Sequence, residues 1–358
     1  KNFSIFALGV MPYISASIIT GILQMDIVPY FTELKESGEQ GRQKINQINR
    51  YLGIAIAFVQ GFAMAFTFIK GASTIQYFEI AIILTGGTAL LLWLGDQITQ
   101  KGIGNGISLI IMAGIISTVP KMFIDTFGTL VTSRTGSLFI GIVGFSLFVL
   151  LYLLIVVGVV FEECSERRIP IQYSNRTTAS YGGKQNYIPF KINSAGVMPV
   201  IFASVLLSIP TFIAGILGSD SGFSLFVSKY IDYSTPVGFV LYMILIFVFG
   251  YFYTNMQINP KELAKNLNRN GGYIPGIRPG VETENYIKKI LNRITFLGST
   301  FIAIIAGLPI VFSSFISTGL PASVRIGGTG VLIVVGVAIE TCRQLESSLI
   351  NRSYKGAR

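Results

Sequence analysis

This chain of 358 residues has no histidine and only two cysteines, Cys164 and Cys342, so the usual means of catalysis are scarce. No nucleophile stands at a spacing that would pair it with a base, and no set of residues has metal-ligand spacing. The glycine-rich stretch GIGNG, 102–106, lacks the lysine of a phosphate-binding loop. What the residues do offer is recognition. In GGYIPGIRPG, 271–280, four glycines and two prolines surround a single arginine, Arg278. Proline fixes φ and glycine permits tight turns, so this composition builds a shaped tip that holds a cation in place. A protein partner or an RNA backbone would both answer to that charge.

The elements that carry this tip belong to a membrane. The chain is 51% hydrophobic and 12% charged, whereas a soluble domain has about 25% charged residues. The runs 54–69, 138–161 and 237–253 hold no charge at all. Their residues do not alternate as barrel strands would, so the spans are helices. Nine are expected, over about 3–25, 51–69, 77–95, 103–120, 137–161, 194–217, 236–257, 294–314 and 327–347. The connections 26–50, 96–102, 162–193 and 258–293 and the tail from Arg343 hold 21 of the 27 Lys and Arg. The positive-inside rule makes that set cytoplasmic, with the C-terminus inside and Lys1 outside. Both cysteines then face the reducing side. A chain that starts outside with no signal peptide implies an earlier span before Lys1.

GVMPYISAS, 9–17, and GVMPVIFAS, 196–204, agree at all but two positions. The first copy lies in a span running inward and the second in a span running outward, the sign of an inverted-topology repeat. A weaker echo joins 104–107 (GNGI), opening the fourth span, to 328–331 (GTGV), opening the ninth. Pro12 and Pro199 are expected to break or kink their helices. Ser15, Ser17, Thr20, Ser204 and Ser208 follow, suited to close helix approach with weak hydrogen bonds across a seam. Phe148 in the fifth span is expected to face lipid. Inside the spans the only charges are Glu79 and the Glu340, Arg343 and Glu346 group, all near span ends. Without a buried carboxylate relay, any pore is expected to close at an aliphatic, dewetting constriction.

Across nearly the whole chain the sequence resembles the SecY family of protein-conducting channels. The phrases that carry the likeness are SIFALGVMPYISASI (4–18), GIGNGISLIIMAGI (102–115), ERRIPIQY (166–173), INSAGVMPVIFAS (192–204), GGYIPGIRPG and GGTGVLIVV (327–335). The resemblance implies an all-α polytopic membrane protein with ten spans in two inverted halves around a central pore. The nine spans here match the second to tenth, with the first span and the plug preceding Lys1. The halves would be 1–136 and 137–358, the latter bearing the cytoplasmic loops 162–193 and 258–293. The family's pore ring falls on Val10, Ile14, Ile107, Ile111, Ile201 and Ile333. Its lateral gate falls on Ser15, Asn105 and Ile209, and its cytoplasmic docking sites on Arg167, Arg168 and Arg278. Implied partners are the SecE and SecG subunits, the SecA ATPase, the ribosome, secretory and membrane preproteins and the lipid bilayer. No DNA, cofactor, metal or enzymatic step is implied, and the location would be a bacterial cytoplasmic membrane. The other readings are an inverted-repeat transporter of a small solute, a membrane scaffold and an accessory paralogue of the channel.

Overall fold

The computed structural model describes residues 4–24, 28–69, 71, 73–132, 138–173, 186–217, 221–232, 235–315 and 322–356. In chain order the helices are α1 (Met11–Leu23), α2 (Pro29–Glu36), α3 (Glu39–Phe68), α4 (Thr74–Lys101), α5 (Gly106–Phe127), α6 (Leu138–Cys164), α7 (Met198–Leu217), α8 (Gly222–Tyr230), α9 (Pro236–Gln257), α10 (Pro260–Arg269), α11 (Val281–Phe315) and α12 (Ala322–Gly356). Three short strands complete the elements: β1 (Glu166–Tyr173), β2 (Asn186–Lys191) and β3 (Gly272–Tyr273). Each of the nine expected spans falls on one of these helices. Among the described residues, 6 helices are long and apolar enough to cross a membrane, while α1 and α7 contribute the shorter apolar runs Met11–Leu23 and Met198–Thr211.

Helices overrun the apolar stretches that betray them. Helix α3 starts at Glu39 and α11 at Val281, so both carry polar turns before their hydrophobic parts. That overrun brings in a charge pair beyond the groups expected inside the spans. Arg50 of α3 and Asp96 of α4 form an ion pair, both ends partly exposed.

The chain divides into two compact units, each assembled from separate stretches of the sequence. One comprises 1–118, 205–237 and 337–358, the other 119–204 and 238–336. In the first, α1, α3 and α4 pack through small residues: Ala16, Ala57, Ala65 and Ala81 are fully buried. The buried Thr20 hydroxyl donates to Asn49 Oδ1, joining α1 to α3. In the second, α9 and α11 lie close enough that a Cβ on Gly250 would collide with the Ser299 hydroxyl. Phe148 is 3% exposed, packed with Met122 and Leu130 rather than facing lipid. The π-helical turn Gly128–Thr132 after α5 supplies that packing, which a charge count could not foresee.

The start of α5 is fixed by a close approach to α4. A Cβ on Gly106 would overlap the Gly95 carbonyl oxygen. The Gly106 N–H donates to Thr99 Oγ1 (2.8 Å), whose hydroxyl donates to the Gly95 carbonyl (2.9 Å). Gly106→Ala is therefore expected to destabilise the protein by about 1–3 kcal/mol, the usual cost of overpacking. Thermal unfolding of the purified protein in detergent would read this as a lowered midpoint, and an unchanged midpoint would contradict the packing described.

Candidate functional site

The two copies of the repeated phrase have the same local build. Gly9 and Gly196 both adopt positive φ, 56° and 60° respectively, a region that costs other L-residues roughly 1–2 kcal/mol. Two residues later a helix begins, with Met11 and Met198 as its first residues and a proline at the second position. The Ile14 N–H donates to the Val10 carbonyl (3.2 Å), and the Ile201 N–H to the Val197 carbonyl (3.3 Å). The prolines thus do not kink a running helix. They sit in the first turn, where the missing N–H leaves no hydrogen bond unmade. The expected break is real, and it takes the form of a helix start preceded by turns.

Side-chain burial follows the repeat too. Ile14 is 8% exposed and Ile201 is 9%, while Ala16 and its counterpart Ala203 are fully buried. Val10 is buried as well. Ile107 and Ile111 lie half-buried on the first turns of α5. Asn105 is exposed and caps this helix, its Oδ1 accepting from Ile107 N–H (3.1 Å) and Ser108 N–H (3.4 Å). The echo at 328–331 is not matched in structure, because those residues lie inside α12 whereas 104–105 precede α5. Ile333 is half-buried on α12. One turn on, a Cβ at Gly336 would meet Val197 at 3.5 Å, so this part of α12 lies beside the start of α7.

Val10, Ile14, Ile107, Ile111, Ser15, Asn105 and Ile209 belong to the first unit, and Ile201, Ile333, Arg167, Arg168 and Arg278 to the second. Ile209 is 48% exposed, presenting an aliphatic surface on α7.

The small polar residues behave differently from expectation. Ser15 donates to the Met11 carbonyl (3.2 Å), Ser17 to Ile14 (2.9 Å), Ser204 to Val200 (2.8 Å) and Ser208 to Val205 (2.7 Å). Each hydroxyl is thus spent on its own helix, the usual back-bonding of serine in an apolar setting. Contacts between helices are fewer: Thr20 to Asn49, and Ser204 to the Tyr242 hydroxyl at 3.4 Å. Buried carboxylates also exist where none was expected. Glu162 and Glu163, at the end of α6, are 3% and 7% exposed. Asn193 donates to Glu163 Oε1 (3.4 Å), tying the end of α6 to the approach to α7. The expected span stops one residue earlier, at 161, so hydropathy alone could not reveal them.

The two long basic loops form one body. Strand β1 pairs antiparallel with β2 over Glu166↔Lys191 to Ile171↔Asn186, and with β3 through Gln172↔Tyr273 and Tyr173↔Gly272. One core joins them: Ile169, Ile171 and Phe190 from the first loop pack with Leu267, Ile274, Ile287 and Leu291 from the second. Arg167 and Arg168 are exposed on β1, and the Arg168 guanidinium lies over the Tyr187 ring, 4.8 Å from its centroid. Arg176 and Lys184 lie outside the described residues. Arg278 is exposed at the tip expected from its glycines and prolines. Ile274 anchors that tip in the core, and the Thr283 hydroxyl donates to the Arg278 carbonyl (2.9 Å).

A family model described as SecY matches residues 4–342. The chain is 48% identical over 364 residues to the protein translocase subunit SecY of Halalkalibacterium halodurans, covering 99% of this chain and 84% of that relative. The corresponding subunit of Bacillus subtilis is 47% identical over 369 residues, with the same shares covered. Among solved structures the fold is similar to a protein conducting channel, with a TM-score of 0.66 and 22% identity over 96% of this chain and 81% of the other. It is also similar to Sec61 in a canine ribosome-channel complex from the endoplasmic reticulum, with a TM-score of 0.63 and 21% identity over 96% and 81% of the two chains. At such identities the structural likeness speaks for the fold alone.

Because the two loops share a core, they should loosen together. Leu267→Ala removes a side chain that is 7% exposed, and is expected to cost about 2–5 kcal/mol locally. Limited proteolysis of the variant in membranes should then cut both 162–193 and 258–293 faster. Accelerated cleavage in 258–293 alone would show that the loops fold separately.

Proposed function

This chain belongs to the SecY family, and from that membership we propose that it is the channel-forming subunit of a protein translocase. It passes unfolded secretory polypeptides across a bacterial cytoplasmic membrane and releases apolar segments sideways into the lipid. Val10, Ile14, Ile107, Ile111, Ile201 and Ile333 form the waist of the pore, contributed by the halves 1–136 and 137–358. Ser15, Asn105 and Ile209 border the lateral exit. The basic loops face the cytoplasm, as does the C-terminus, and Arg278, Arg167 and Arg168 receive the motor ATPase SecA or the ribosome. SecE and SecG complete the complex.

The observation that carries this reading is the helix start built twice, with a buried isoleucine at the same place in each copy. Aliphatic side chains around a narrow passage exclude water and ions when nothing occupies it. They make no directional bonds, so a moving chain meets no site at which to stop. Partition into lipid follows side-chain chemistry: a leucine-like residue gains about 0.3–0.6 kcal/mol, while a charged one costs about 2.5–3.5 kcal/mol. The chain itself has no group with which to hydrolyse a nucleotide. Net movement is driven by the partner on the cytoplasmic loops, by chain elongation or by the membrane potential.

Cross-linking tests the path. In the full-length protein with its partner subunits, Cys164 and Cys342 are replaced and one cysteine is placed at Ile201. A secretory precursor bearing a single cysteine is then stalled in transit. A disulfide is expected at 201 and not at Leu150, a residue 62% exposed on the apolar α6. An engaged precursor that leaves Ile201→Cys unmodified would falsify the assignment of this phrase to the pore.

A second test concerns docking. Arg278→Glu reverses the charge at the exposed tip without touching the buried core beneath it. Affinity for the motor ATPase or the ribosome, measured on proteoliposomes, is expected to fall roughly tenfold, the loss of about 1.4 kcal/mol at an arginine anchor. The thermal midpoint should stay where it was. Undiminished binding of both partners would remove Arg278 from the docking surface.

A further inference from the structure

Helix α8 stands apart from the repeat, the pore phrases and the basic loops. It has 9 residues, GFSLFVSKY, so it is about 13 Å long and cannot cross a bilayer. It is nonetheless well formed. Ser221 caps it by accepting from the Ser224 N–H (3.2 Å), and the Ser224 hydroxyl donates to the Ala214 carbonyl near the end of α7 (2.9 Å). Ser224 and Val227 are buried, fixing one side of α8 against the protein.

On another side lies a stripe of partly exposed aromatic residues. At 100° per residue, Phe223, Phe226 and Tyr230 fall within an arc of about 60°. They are 41%, 52% and 39% exposed. The rings of Phe226 and Tyr230 lie 5.1 Å apart, and the Lys229 ammonium sits 5.4 Å from the Tyr230 centroid. Ser228 is exposed on a different side of the helix, between Ser224 and Leu225.

We propose that α8 is an interfacial membrane helix, with Phe223, Phe226 and Tyr230 seated at the headgroup–acyl boundary and Lys229 reaching the lipid phosphates. Two observations name lipid as the occupant. The hydrogen bond from Ser224 to Ala214 holds α8 at the very end of a membrane helix, and α9 begins at Pro236 only a few residues later. The stripe therefore lies close to where the apolar run of α7 ends. Its chemistry also fits that level of the membrane, where aromatic rings with a polar tip collect and a lysine stem lies along apolar surface while its charge stays wet. The connection is one of the lightly charged ones, so this is the leaflet opposite the basic loops. Seated there, α8 holds the end of α7, the helix that carries Ile209.

Fluorescence tests the placement in the full-length complex, reconstituted into phosphatidylcholine–phosphatidylglycerol vesicles. The chain has a single tryptophan, and Trp93→Phe clears the background. Phe226→Trp and Ser228→Trp are then compared in vesicles made with acyl-brominated lipid. Emission from position 226 is expected to be blue-shifted and quenched several-fold more strongly than that from 228. Equal quenching at both positions would overturn the proposal. So would a blue-shifted 226 that bromine does not quench, which would mean that a protein covers the stripe. Should the tryptophan variants assemble poorly, a nitroxide at Phe223→Cys with the native cysteines replaced gives the same answer. It should collide with oxygen more than with a water-soluble nickel chelate, and preference for the chelate would place the stripe in water.

Discussion

Within a bilayer no water is available to satisfy a main-chain group, and that constraint shapes the places where this fold departs from helix. Both departures precede the repeated phrase. In the first, the Ala7 N–H donates to the Ser4 carbonyl (2.9 Å) and the Gly9 N–H to the Phe6 carbonyl (3.0 Å), so a run of turns satisfies itself. In the second, the Ile192 N–H donates to the Ser165 carbonyl (3.0 Å), and the Ser194 hydroxyl donates to the Lys191 carbonyl (2.9 Å). A glycine of positive φ then turns the chain into a helix whose second residue, proline, has no N–H to strand. The phrase is written twice because it solves the same hydrogen-bonding problem twice.

The side chains extend that economy. Hydroxyls that could have bridged helices bind their own carbonyls instead, leaving apolar surfaces without directional partners. Charged groups are paired or tied: Arg50 with Asp96, and Glu163 with Asn193. A charge in an apolar setting is expensive, and Glu163, 7% exposed, is held by the hydrogen bond from Asn193.

Much of this was legible in the residues. Hydropathy located nine helices, because a span must be both long and apolar, and the composition of 271–280 announced a shaped arginine tip. What escaped the sequence was non-local. Nothing in ERRIPIQY states that its strand pairs with Gly272 and Tyr273, a hundred residues away. The burial of Glu162 and Glu163 depends on neighbours that no window of hydropathy contains. Phe148 looks like any other residue of a charge-free run, yet the π turn after α5 folds Leu130 over it. Proline was read as a kink because its position within the helix was unknown. The same residue that breaks a helix interior is well placed in the first turn, and only the boundary decides between them.

Those non-local contacts give the body formed by the two basic loops its mechanical character. Helix α11 contributes Ile287, Leu291 and Ile294 to the core beneath Arg278, then continues unbroken into the membrane region. There Gly298 packs on the Ile192 carbonyl oxygen, at 2.7 Å from where its Cβ would stand. Further along, Phe301 lies against Gly158 of α6, and Gly307 against Phe239 and Met243 of α9. Close packing of this kind transmits displacement, since a side chain cannot yield without moving its neighbour. A load applied at the arginine tip therefore reaches α6, α9 and the approach to α7 through one continuous helix. Two separate loops would have absorbed that load as bending. Joining them through β1, β3 and a shared core makes the arginine tip and the helices of this unit parts of one lever.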